Sequence, residues 1–378
     1  MLKRIKGLKI LIICNCASGL DTFRGMLIRE LIKKKNIVKA VVPLSKEEKE
    51  ISAESRLEKY ACELQRIPID RRGINPVHDL KLMRRYKKVI QKENPDLVIT
   101  YTIKPNIYGG LVCRNMKVPY IANITGLGTT FQKDGLLKKI VSIMYKAALN
   151  KAKLVFFENV ENRNLFVELK LIPYAQTHVL KGAGVDLEVF SYYPYPPDDG
   201  KTRFLFIGRV MREKGIDELL HAMERLHNQG YNCSLDILGG FEENYQGQLD
   251  KCQDGGWLHY HGYQDDVKPF IQRSHCFVLP SWHEGMANTN LECASCGRPV
   301  ITSNIHGCLE AVEDGISGFL VKKGNIDDLY NAMKRFIELS YEQKAKMGEA
   351  GRKRMELYFD KKKVVAETIS LINENNYF

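Results

Sequence analysis

Most patterns that announce a function outright are missing from this sequence. No apolar stretch reaches the roughly 18 residues that cross a bilayer, so nothing reads as a transmembrane helix. G-x-x-x-x-G-K-[ST] does not occur, which removes a P-loop, and the missing G-x-G-x-x-G weakens a nicotinamide or flavin reading. No D-x-D is present, so a carboxylate-held Mg²⁺ on a diphosphate has no support, and no metal or other cofactor is expected. The ten cysteines are scattered and form a single C-x-x-C, Cys293 and Cys296, without a second Cys or Cys/His pair at zinc-finger spacing. These two are read as small thiols packing on a helix face. The opening MLKRIKGLKILIICN imitates an export signal, but its apolar run is short and reads better as a first strand. A cytosolic protein is expected.

What is there is ordinary in composition and uneven in charge. The chain has 378 residues, 44% hydrophobic and 27% charged, enough for two domains with large cores. Residues 1–190 hold 35 Lys+Arg against 18 Asp+Glu, and residues 191–378 hold 22 against 27. The halves should therefore meet different partners, the first of them anionic.

Both halves alternate apolar runs with polar-faced helical runs, the pattern of parallel sheets covered by helices. Strands are expected at 8–15, 37–43, 64–69, 96–102, 120–125, 153–159 and 177–182. After FSYYPYPPDDGKTR, read as a linker, they resume in RFLFIGR, CSLDILGG, LHYHGY, CFVLPS, PVITSN and GFLVK. The expected division is an N-terminal domain over 1–188, a linker over 189–202, a second domain over 203–360, and a helix over 361–378 packing back on the first domain.

In such domains ligands bind beyond the carboxyl ends of strands, where loops enter helices. Five loops stand out. IGRVMREKGIDEL offers Gly208 with Arg209 and Lys214, suited to a diphosphate; a solvated basic loop is the plain alternative. HEGMANTNLECASC carries Glu284 in the loop and Glu292 one turn into a helix, with Asn288-Thr289-Asn290 able to cap it. Each carboxylate could take a hydroxyl pair, or simply complement a helix dipole. SGLDTFR places Ser18 and Gly19 after the first strand, facing a possible diphosphate. NITGLGTTF is a Gly-rich loop, and the glycines of LGGFEENY, among them Gly240, could admit a flat nucleobase.

Jointly, GRVMREKG, EGMANTNLE, GRPVI, EAVEDGISGFLV and GAGVDLEVF resemble the family 4 glycosyltransferases over nearly the whole chain. TYTIKPNIYGGL, NITGLGTTF and FFENVENRNLF look like the subgroup that builds capsules, exopolysaccharides and lipid-linked glycans. The resemblance implies the GT-B fold, two Rossmann-like parallel-sheet domains facing across a cleft. It implies metal-independent, retaining transfer from a nucleotide sugar, a UDP-hexose or UDP-N-acetylhexosamine, to a polyprenyl-diphosphate-linked saccharide. Arg209 and Lys214 then fall on the donor diphosphate, Glu284 on the donor sugar and Glu292 on the ribose. Gly208, Gly240, Gly285, Met286, Asn288, Ser18 and Gly19 join the donor side. Thr125, Gly126 and Lys104 are assigned to the acceptor or donor-sugar side. Many relatives carry a His in the loop that here reads Thr125-Gly126-Leu127-Gly128, so no imidazole is assigned. A sugar-nucleotide epimerase and a non-catalytic nucleotide-sugar-binding module are the alternatives. No nucleic-acid partner is expected. The basic stretch 133–153, with Leu136, Ile140 and Ile143 among Lys133, Lys138, Lys139 and Lys146, suggests peripheral docking on an anionic inner membrane leaflet; an ordinary core-facing helix with a solvated basic face is the plain alternative.

Overall fold

The computed structural model describes residues 7–70, 73, 75–128, 131 and 135–374; Lys133 lies outside them. Two compact units are present, Met1–Ala183 with Lys362–Phe378, and Gly184–Lys361. The first carries strands β1 (Lys9–Ile13), β2 (Ile37–Pro43), β3 (Glu63–Ile67), β4 (Leu97–Tyr101), β5 (Tyr120–Ile124), β6 (Leu154–Phe157) and β7 (Thr177–Val179). Its helices are α1 (Ala17–Lys33), α2 (Glu48–Lys59), α3 (Pro76–Glu93), α4 (Gly110–Met116), α5 (Leu136–Leu149) and α6 (Val160–Glu168). The second carries β8 (Thr202–Ile207), β9 (Cys233–Leu238), β10 (Leu258–Tyr260), β11 (Cys276–Leu279), β12 (Val300–Ser303) and β13 (Gly318–Val321). Its helices are α7 (Ile216–Asn228), α8 (Gln246–Asp254), α9 (Lys268–Arg273), α10 (Asn288–Ser295), α11 (Ile326–Glu338) and α12 (Tyr341–Tyr358). The last helix, α13, runs Lys361–Glu374.

Both sheets are wholly parallel. Their orders are β3-β2-β1-β4-β5-β6-β7 and β10-β9-β8-β11-β12-β13, so each reverses winding direction beside its first strand. The register runs Leu11 against Lys39 and Val98 in one sheet, and Phe204 against Leu235 and Cys276 in the other. Each is a doubly wound Rossmann-like domain, as the strand alternation predicts. Strands covered on both faces need apolar side chains pointing both ways. β1 shows this: Ile10 and Ile12 pack with α1 and with Val364, Val365, Ile369 and Ile372 of α13, while Leu11 and Ile13 pack with Tyr86, Val89 and Tyr145 on the other side.

Two helices escape a reading by apolar periodicity. α2 is polar except for a narrow stripe, and it buries Glu50 and Glu54 as well as Ala53 and Leu57. α12 buries little more than Met347, Gly348, Gly351 and Met355, and starts on a Ser340/Gln343 capping box. Its glycine is a close-approach residue: a Cβ on Gly348 would lie 2.1 Å from the carbonyl oxygen of Gly297.

The linker expectation needs correction. Residues 189–202 belong to the second unit and are fastened to it. Ser295 Oγ donates to the Phe190 carbonyl at 2.6 Å, and Tyr195 is buried with its hydroxyl donating to the His275 carbonyl at 3.0 Å. The guanidinium of Arg298 reaches the carbonyls of Tyr193 and Pro194, both at 3.1 Å. Proline and tyrosine here make an extended strap with satisfied backbone groups.

Candidate functional site

In the second unit the winding reversal lies between β8 and β11, so the loops leaving their carboxyl ends diverge into a crevice. The β8 loop holds Gly208, Arg209 and Lys214; the β11 loop holds Ser281, Trp282, His283 and Glu284. They are tied together tightly. The Trp282 amide donates to the Glu213 carbonyl at 2.9 Å, and the Trp282 indole N–H donates to Glu218 at 3.0 Å. Arg212 lies over the Trp282 ring, 5.1 Å from its centroid.

The two charges that sequence assigns to different parts of a donor are in direct contact. Lys214 Nζ donates to Glu284 Oε1 in an ion pair whose side chains are only 18% and 13% exposed. Ser281 Oγ donates to the same carboxylate oxygen at 2.9 Å. Arg209 stands apart, 58% exposed and 3.5 Å from Glu242. Its loop backbone is set by glycine: Gly239 has φ of +139°, and a Cβ there would sit 1.8 Å from the Gly208 carbonyl oxygen. The Gly208 amide donates to Leu238 and the Val210 amide to Gly240, both at 2.9 Å. Beside them Phe241 packs on Tyr260 with ring centroids 4.8 Å apart and is 39% exposed, an aromatic face near Gly240.

α10 begins at Asn288, but Asn288, Thr289 and Asn290 do not cap it. The cap position is Ala287, which has no side-chain acceptor, and Asn290 is buried with its amide nitrogen donating to Thr302. Asn288 instead donates to the Met286 carbonyl at 3.3 Å and leaves its Oδ1 buried without a partner. An uncapped helix start of this kind favours an anion. Glu292 sits one turn in and half-buried. Burial pushes its carboxyl up to about 7, with Lys361 pulling the other way.

That shift carries a sign that can be tested. A carboxyl raised from 4.5 to about 7 stabilises the fold fully below the unfolded value, and loses that contribution as pH rises through 7. Glu292→Gln should therefore be more stable than the parent at pH 8, by roughly 2 kcal/mol after allowance for partial exposure, and nearly equal at pH 4. Urea unfolding at both pH values measures this. A variant less stable at pH 8 would show that the carboxylate is welcome where it sits.

Residues that sequence reading passed over complete the site. His283 Nε2 lies 3.4 Å from Glu213 Oε2, and burial holds its imidazole below the ordinary value, with Glu213 opposing. After β12, Glu310 accepts from the Gly307 amide at 2.7 Å and contacts His306 Nδ1 at 2.8 Å. A Cβ on Gly307 would lie 2.8 Å from the Glu284 carbonyl oxygen, so this third loop is packed against the Glu284 backbone. The sequence signal for this loop is the EAVEDG motif, which begins at Glu310. Cys293 and Cys296 are fully buried, and burial pushes the Cys296 thiol up to about 12. Among the described residues no three His, Cys, Asp or Glu side chains gather as a metal-ligand set.

In the first unit, Ser18, Gly19, Lys104, Thr125 and Gly126 all follow carboxyl ends of strands. The α1 start is already occupied. Glu50 accepts from the amides of Ala17 at 2.6 Å and Ser18 at 3.2 Å, and from Ser18 Oγ at 2.5 Å. Gly19 follows in the same turn. Lys104 pairs with Asp79 at 2.8 Å, and Asp79 also accepts from Tyr108 at 2.7 Å. Thr125 and Gly126 form the open loop after β5.

The Glycosyl transferases group 1 profile matches residues 194–354, and the Glycosyl transferase 4-like profile matches residues 26–159. The chain belongs to the GT-B glycosyltransferases. Relatives of this transferase include the N,N'-diacetylbacillosaminyl-diphospho-undecaprenol alpha-1,3-N-acetylgalactosaminyltransferase of Campylobacter jejuni, 25% identical over 88% of this chain and 90% of the relative. The capsular polysaccharide glycosyltransferase CapM of Staphylococcus aureus is 25% identical over 98% of both chains. An Escherichia coli UDP-Gal:alpha-D-GlcNAc-diphosphoundecaprenol alpha-1,3-galactosyltransferase is 28% identical over 72% of this chain and 74% of its own. Among solved structures, HepE of Anabaena in complex with UDP and glucose matches with a TM-score of 0.78 and 16% identity, covering 97% of this chain and 100% of that one. The transferase thus has its cationic loop, its paired Glu284 and its uncapped α10 within one GT-B domain.

Proposed function

We propose that this transferase moves a sugar from a UDP-hexose or UDP-N-acetylhexosamine to a saccharide carried on a polyprenyl diphosphate, with retention and without a metal. The observation that carries the reading is the Lys214–Glu284 pair at the β8/β11 reversal, on a loop that runs into α10, whose start has no side-chain cap. Breaking a sugar–diphosphate bond builds negative charge on the leaving oxygen. Lys214, Arg209 and the α10 amides stabilise that charge in place of a metal ion. Glu284 and Ser281 hold the lysine in position and offer acceptors to sugar hydroxyls. Glu292 takes the ribose hydroxyls as its carboxyl ionises. The departing phosphate oxygen takes the acceptor proton on the same face, so no second carboxylate is required as a base. Support for retention comes from the alpha products named for the Campylobacter and Escherichia coli relatives. Those relatives also support the lipid-linked acceptor, which the first unit would bind through Thr125, Gly126 and Lys104.

The test is a panel of nucleotide sugars incubated with the protein, reading slow UDP release without acceptor. One UDP-hexose or UDP-N-acetylhexosamine should be hydrolysed well above the rest. A protein that binds donors and releases none would be a binding module, and one that returns an isomerised nucleotide sugar would be an epimerase.

The same reading places the protein on the inner face of a membrane. Among the described residues no helix is long and apolar enough to cross one. α5 instead turns apolar side chains outward: Leu136 is 74% exposed and Ile143 is 68% exposed, with Leu137 and Ile140 between them. Lys139 and Lys146 are exposed on the same helix. Each lysine near an anionic surface contributes about 1 kcal/mol, so two charge reversals outweigh a tenfold change in binding. Vesicle sedimentation should need anionic lipid, fall with salt, and weaken at least tenfold in Lys138→Glu/Lys139→Glu. Equal recovery with neutral and anionic vesicles would remove the membrane from the account.

A further inference from the structure

The first unit has a second concavity that the transfer reaction does not use. It lies at the amino ends of β5, β6 and β7, where residues 117–120, 150–153 and Gln176 come together around about 630 Å³. Thr125 and Gly126 follow the opposite, carboxyl end of β5, and a five-residue strand separates the two ends by about 17 Å. The cleft is therefore distinct from the loops assigned to the acceptor.

Its lining is cationic without compensation. Arg114, Lys117, Lys151 and Lys153 all border it, and no Asp or Glu does. Among the described residues none of the four forms an ion pair. Other cations of the same unit, Arg24, Lys39, Arg56, Arg66 and Lys104, each sit against a carboxylate within 3 Å. Four unneutralised cations around one cleft repel one another unless an anion joins them. The guanidinium of Arg114 is held in place by the Ala147 carbonyl at 2.8 Å. Gln176 adds an independent sign. Its Oε1 is buried with no hydrogen-bond partner, an unmet polar group at the cleft wall.

We propose that this cleft is a second, phosphate-binding site, in which the three lysines, Arg114 and the Gln176 amide share the oxygens of a phosphate or diphosphate. The shared chemistry has two sources, a phospholipid headgroup or a free phosphate. The chain leaving α5 enters the cleft at Asn150 and Lys151, so a headgroup held here would lie at the carboxyl end of the helix that exposes Leu136 and Ile143. The inference does not depend on the donor or the acceptor assigned above.

The experiment uses the full chain saturated with UDP, so that the donor site does not take up the probe. Inorganic pyrophosphate binding is measured by calorimetry, and vesicle binding by sedimentation with phosphatidic acid or with phosphatidylcholine alone. Lys117→Gln/Lys151→Gln/Lys153→Gln is compared with the parent, with single Lys151→Gln beside it should the triple variant fold poorly. The proposal expects at least tenfold weaker binding in the triple variant, at an unchanged rate of UDP release from donor. Loss confined to phosphatidic acid vesicles identifies the lipid source, and loss of pyrophosphate binding identifies the free one. Parent and variants that bind both probes equally, or a parent that binds neither, overturn the site. Such a result would leave the transferase reading standing, because that rests on UDP release.

Discussion

Arg298→Met is expected to destabilise the second unit by about 3–5 kcal/mol, the range found when a buried charged network is broken. The side chain is fully buried, and among the described residues it makes no ion pair. Its guanidinium donates instead to carbonyls: Nε to Ile271 at 2.9 Å, Nη1 to Tyr193 at 3.1 Å and to Cys296 and Gly297 at 3.2 Å, and Nη2 to Pro194 at 3.1 Å and Gln272 at 2.9 Å. Burial pulls its pKa below the ordinary value without removing the charge. One residue thus joins the end of α9, the turn after α10 and the strap over 193–194. Methionine fills similar space but donates nothing, and several carbonyls then lose their partner inside the protein. Both tryptophans, Trp257 and Trp282, lie in this unit, so fluorescence-monitored urea unfolding reports on it selectively. A midpoint within error of the parent's would show that the strap does not depend on the arginine.

Lys214→Ala and Glu284→Gln are each expected to lower turnover by about 10²–10³, the cost of removing one well-placed charge-stabilising donor in such a site. Removing one partner of this largely buried pair strands the other charge, so the unfolding midpoint should fall as well, and turnover is read at a temperature where both variants remain folded. The two side chains touch, so their effects should not add. In the double variant the loss should fall clearly short of the product of the two single losses. Additive losses would mean that each acts alone, against the geometry. Near-parental turnover in either folded single variant would remove the pair from the mechanism.

The fold was legible because its strands are. Short apolar runs bounded by glycine and polar residues leave little choice once they recur at this spacing, and each expected strand is present. The helices were less legible where burial did not follow apolar periodicity. α2 buries two glutamates, one of which caps α1, and α12 packs through glycines rather than leucines. For the candidate site, sequence placed residue types on loops at the carboxyl ends of strands but not their partners. Nothing in GRVMREKG and HEGMANTNLE says that Lys214 and Glu284 touch. Nor does the Asn-Thr-Asn run reveal that Asn290 turns inward to Thr302, since only the packing of α10 on β12 decides that. The arginine of GRPVI received no role in sequence and is the most deeply buried one in its unit.

The most direct test is the product itself. The transferase is incubated with a UDP-hexose or UDP-N-acetylhexosamine and a polyprenyl-diphosphate-linked saccharide in the presence of EDTA, and the anomeric proton of the new linkage is read by NMR. The account predicts an alpha-linked product, formed as fast with chelator as without. A beta linkage, or turnover that stops with EDTA and returns with Mg²⁺, would contradict it.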